Sequence, residues 1–130
     1  MSEEQAGGAD VRPEGEDPEA EFRATHKELL QELETKYDEI RLLRAPKSLG
    51  GGPIVIATPK RGVYQKFVVD IRNEKMSAPI VSEALAYGSV VYPDHATLKQ
   101  YFETKPGLPL LISAMAQQLA VGDAEDLGKG

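Results

Sequence analysis

Apolar residues along the chain change their spacing several times, and each change marks an element. From Phe22 they fall at steps of three and four: Phe22, His26, Leu29, Leu30, Leu33 and Tyr37 lie on one face of a helix, predicted over about 23–37. Thr25 followed by Glu28 has the spacing of a capping box. Ile40 and Leu42 then alternate with Arg41 and Leu43, and Ile54-Val55-Ile56-Ala57 forms a second short apolar run. With Pro46 to Pro53 between them, including three consecutive glycines at 50–52, the two runs predict a β-hairpin with a flexible tip.

Helical spacing returns after Thr58-Pro59, a cap followed by proline, with Val63, Tyr64, Phe67, Val68 and Ile71 as the stripe and Asn73 as its end. Ser77 is the expected cap of a third helix with Pro79 in its first turn, a stripe of Ile80, Val81, Ala84 and Leu85, and a stop at Gly88. Val90-Val91-Tyr92-Pro93 reads as a short extended link. Asp94 opens a fourth helix carrying Leu98, Tyr101 and Phe102, closed by Lys105 because Pro106-Gly107 follows. A fifth starts at Pro109 and ends at Gly122. Its apolar residues Leu110, Leu111, Ile112, Met115 and Leu119 cover more than one face. The fold class that results is α+β and mostly helical: an N-terminal helix, one β-hairpin, then a bundle of about four short helices.

Charge divides the chain further. Residues 1–21 carry eight acids against Arg12 alone, a net of −7, whereas the whole chain carries −6. That stretch combines acids with Gly and Pro and lacks large apolar side chains, so burial cannot offset the entropy of ordering it. It is expected to be a disordered acidic arm, followed by a domain over 22–121 and a flexible tail over 122–130. The central hundred residues hold about +3 once the acidic end is removed, too little for the basic stripe that nucleic acid requires. No run of about eighteen apolar residues is present, and the N-terminus lacks the basic-then-apolar order of a secretory signal. A soluble, cytosolic protein without nucleic-acid or membrane partners is expected. At 130 residues the chain has room for one modest core.

Candidate chemistry is thin. The chain has no cysteine, and His26 and His95, its only histidines, have no second ligand at metal spacing, so no metal is expected. Glycines 50–52 precede a strand instead of opening a helix and no Gly-Lys-Ser/Thr follows, which argues against a phosphate loop and a nucleotide cofactor. Glu28 with Glu32 and Asp70 with Glu74 place carboxylates on shared helix faces, an ordinary feature of solvated helices. Serines 77, 82, 89 and 113 lie in no nucleophile elbow. With no catalytic constellation and no cofactor, the expectation is a protein-binding module and not an enzyme. Its candidate partner-binding residues are Leu111, Met115 and Leu119 on the last helix and Val63, Phe67 and Ile71 on the second.

The order of motifs is also distinctive. After the leading helix and hairpin come Thr58-Pro59-Lys60-Arg61-Gly62-Val63-Tyr64-Gln65-Lys66-Phe67, then Ala84-Leu85-Ala86-Tyr87-Gly88-Ser89-Val90-Val91-Tyr92-Pro93-Asp94, then Lys105-Pro106-Gly107-Leu108-Pro109. Over residues 25–121 this resembles the tail assembly chaperones of long-tailed phages. In that family an Arg-Pro-Thr-Arg-x-x-Tyr helix start is followed by a Val-Val-Tyr-Pro link and a Pro-Gly-Leu break before the last helix. Lys60 and Gly62 stand where the family has threonine and a helix former, so the start of the second helix is expected to be displaced. The resemblance implies a host-cytoplasmic chaperone that keeps the tape measure protein soluble and recruits tail-tube subunits to it. The alternative is a virion structural protein of the neck or tail, and self-association is left open. The family also makes two lengths of product by a ribosomal frameshift, with which the final Gly128-Lys129 is compatible.

Overall fold

Alternation at Ile40 to Leu43 and the apolar run at 54–57 do form a hairpin. The computed structural model describes residues 18–128. Within it, β1 (Ile40–Arg44) pairs antiparallel with β2 (Pro53–Ala57) in the register Ile40↔Ala57 to Arg44↔Pro53. The tip expected to be flexible carries hydrogen bonds of its own: the Ala45 amide donates to the Gly52 carbonyl at 2.8 Å, and a 3-10 turn over Lys47–Leu49 sits inside it. Gly50 (φ 100°) and Gly51 (φ 67°) take the left-handed conformations that reverse the chain. The expected link at 90–92 is a third strand, β3 (Val90–Tyr92), which pairs antiparallel with β2 across a register shift at Val55/Ile56. β2 is therefore central in the sheet order β1-β2-β3 and is buried along its whole length. The Tyr92–Pro93 peptide is cis.

Six α-helices are present among the described residues. They are α1 (Pro18–Thr25), α2 (Lys27–Lys36), α3 (Arg61–Ile71), α4 (Ala78–Ser89), α5 (His95–Thr104) and α6 (Leu108–Val121). The mostly helical α+β class follows. The predicted first helix is divided at His26, which lies in a turn between α1 and α2. Helix α1 starts at Pro18, inside the stretch that composition marks as a disordered arm; the rest of that stretch, 1–17, lies outside the described residues. Thr25 does not cap: its hydroxyl donates to the Glu21 carbonyl at 3.0 Å, one helical turn back. Helix α3 begins at Arg61, beyond Thr58-Pro59, with Lys60 as its N-cap residue.

Contacts divide the described residues into two units, with the boundary between Glu32 and Leu33. In the first, Phe22 and His26 meet edge to face at 4.7 Å, and Arg23 pairs with Glu19 at 3.1 Å. In the second, α6 occupies the middle: α4 and α5 pack on it, it packs on β2, and α3 packs on α4. Ile54 and Ile56 of the sheet, Leu85 of α4, Leu98 of α5 and Ile112 of α6 are sealed in this core. Each contributes about 1.5–3 kcal/mol relative to an exposed position.

No helix among the described residues is long and apolar enough to cross a membrane.

Candidate functional site

A helix over Leu108–Val121 completes nearly four turns, and its apolar residues outnumber what one face can hold. The core takes Leu108, Pro109, Ile112, Met115, Ala116 and Leu119. Left facing outward are Leu110 (53% exposed), Leu111 (49%) and Val121 (61%), with Ala114 and Gln118 among them. Leu110, Ala114 and Val121 are spaced by four and seven, so they follow one line along the helix. At its C-terminal end the Arg41 guanidinium of β1 donates to the Gln118 side-chain oxygen at 3.1 Å, which fixes a cation beside the apolar line.

At the other end the line opens into a groove of about 340 Å³. One wall is Pro79, Ile80 and Glu83 of α4, and the other is Pro109 and Leu110 of α6, with the buried Phe102 and the exposed Pro106 completing it. The predicted α4 stripe runs from Ile80 to Leu85, but the helix buries Val81, Ser82, Leu85, Ala86 and Ser89 and leaves Ile80 60% exposed. The reason is that α4 is held from two sides, by α3 and by α6. That rotates its buried face one position away from the stripe that apolar spacing alone selects.

Behind Glu83 an aromatic row begins one turn on. Tyr87 stacks on His95 at 4.4 Å and meets Phe102 at 5.0 Å. Burial pushes the Tyr87 phenol above its ordinary pKa of 10.0, and the Glu83 and Glu103 carboxylates add to the rise.

The six candidate partner-binding residues separate into two groups. Leu111 and Ile71 are exposed and available to a partner. Met115, Leu119 and Phe67 are core residues, and Val63 packs against that core, so this conformation does not offer them to a partner. Apolar spacing finds such residues but does not say which neighbour covers them. Ile80, Glu83 and Val121 were missed; a signal for the outer face was present in the unbroken apolar run from Leu108 to Ile112, which no single helix face can bury.

Three of the other polar candidates, Ser89, Ser113 and Asp70, have local partners. The Ser89 hydroxyl donates to the Leu85 carbonyl at 2.8 Å, Gln117 donates to the Ser113 hydroxyl at 3.3 Å, and Lys66 pairs with Asp70 at 2.6 Å. Among the described residues no group of three or more His, Cys, Asp or Glu side chains converges to hold a metal.

No protein-family model and no curated protein matches the chain. Its fold is similar to that of the uncharacterised protein rbstp2171 from Bacillus stearothermophilus, with a TM-score of 0.58 and 18% identity, over 78% of this chain and 99% of that one.

Proposed function

We propose that this chain is a non-enzymatic assembly chaperone of phage tails, which binds the tape measure protein in the host cytoplasm through the outer face of α6. The observation that carries the reading is the exposed apolar face of Leu110, Leu111 and Val121, held outward on a helix whose other face is locked in the core. Such a face shields the apolar stripe of a long helical client until tail-tube subunits replace it. The motif order from Thr58 to Pro109 and its resemblance to tail assembly chaperones supply the identity of the client.

Co-expression tests this directly. The wild-type chain should raise the soluble fraction of the tape measure protein of the same phage, and Leu111→Asp combined with Val121→Asp should remove that effect while the chain stays folded. Unchanged client solubility with and without the chain refutes the proposal. Mass spectrometry of finished particles should find the chain missing; a stoichiometric copy number there would support the neck or tail structural role instead.

A further inference from the structure

The α4/α6 groove has a wall chemistry that selects what fills it. Pro79, Pro106 and Pro109 carry no backbone N–H, so much of its rim lacks donors for the main chain of an extended peptide. A strand-like peptide finds few main-chain partners on this rim, whereas a helix arrives with its backbone already satisfied. Ile80 and Leu110 face each other with half or more of their surface exposed, which suits aliphatic side chains one turn apart. Between them Glu83 is the only charged residue of the lining, half-buried, and no hydrogen bond or ion pair joins its carboxylate to another described residue. A carboxylate covered in that state is costly unless a cation meets it.

We infer that the groove docks an amphipathic helix of a partner protein, whose aliphatic residues at i, i+3 and i+4 sit on Ile80 and Leu110 and whose lysine or arginine pairs with Glu83. The inference rests on the reading of this face as a binding surface. A second copy of this chain fits less well, because a two-fold contact through this groove turns Glu83 towards its own counterpart.

The test is selection from a displayed library of short helical peptides, followed by fluorescence anisotropy with the most enriched peptide. Enriched sequences should combine aliphatic residues at helical spacing with one Lys or Arg, and selection on a Glu83→Lys variant should switch that position to Asp or Glu. Ile80→Asp, at an exposed position, and Glu83→Lys, at a half-buried one, both checked for folding by circular dichroism, should each weaken the selected peptide by about tenfold or more. Replacing the peptide's base by glutamate should restore binding to Glu83→Lys. Enrichment of extended proline-rich sequences, or indifference to Glu83→Lys, overturns the inference. So does a dimer in sedimentation that Ile80→Asp dissolves. If Ile80→Asp and Glu83→Lys leave tape measure solubility intact while Leu111→Asp abolishes it, the groove assignment fails and the chaperone function stands. If peptides dock as expected and client solubility ignores the chain, the function fails and the groove assignment stands.

Discussion

Gly88 of α4 lies so close to α3 that a Cβ built on it would stand 2.7 Å from Val63 Cγ1. Glycine inside a helix normally costs about 1 kcal/mol relative to alanine, so this one is retained by contact and not by propensity. It lets α3 approach α4, and in doing so it makes Val63 a packing residue of the domain.

Gly88→Ala is therefore expected to destabilise the chain by about 1–2 kcal/mol, against the helix-propensity gain. Val63→Ala removes the opposing methyls, so the double variant should be more stable than the sum of the two single changes by about 0.5 kcal/mol or more. Urea denaturation of the four proteins decides it. Strict additivity would mean that the two side chains do not meet.

The two faces of α6 should respond in opposite ways. Met115→Ala and Leu119→Ala open cavities in the core and should each cost about 2–5 kcal/mol. Leu111→Asp and Val121→Asp change exposed positions and should stay within about 0.5 kcal/mol of wild type. Thermal melts followed by circular dichroism separate the sets, and a large loss from Val121→Asp would show that the outer face is covered within the chain itself.

That contrast also shows what was legible beforehand. The hairpin was, because Ile40, Leu42 and the run at 54–57 have strand spacing and turn residues lie between them. The helix stripes were too, since 3.6-residue periodicity needs only local sequence. β3 was not, because three residues carry no period of their own and its partner β2 lies more than thirty positions earlier. The sorting of Met115 from Leu111, or of Val81 from Ile80, was not legible either, since it depends on where neighbouring helices lie. Glu83 was invisible for the same reason: it becomes notable only when α6 places Leu110 and Pro109 opposite it.

Tyr87 gives a pH signature. Its phenol is raised in the folded chain by burial first and by Glu83 and Glu103 second, so the folded state holds the proton more tightly than the unfolded state does. The resulting stabilisation is fully present below the ordinary value of 10.0 and is lost as pH rises through the higher folded-state value. Between about pH 9 and 11 the wild type should lose more stability than Tyr87→Phe, which keeps the ring but has no proton to release. Equal losses in the two proteins, measured by urea midpoints, would dismiss the effect.

The three adjacent glycines of the hairpin tip should not be equivalent, although in sequence they look like one flexible run. Gly50 and Gly51 have φ of 100° and 67°, where an added Cβ is strained, and the space around both positions does not otherwise oppose it. Gly50→Ala and Gly51→Ala should each cost about 1–2 kcal/mol from backbone strain alone. Gly52 has neither a positive φ nor an atom within 4 Å of a built Cβ. Gly52→Ala should accordingly be neutral or stabilise by up to about 1 kcal/mol, because it restricts the unfolded chain without straining the folded one. Urea midpoints for the three variants, compared side by side, distinguish a turn held by its left-handed residues from a mobile loop.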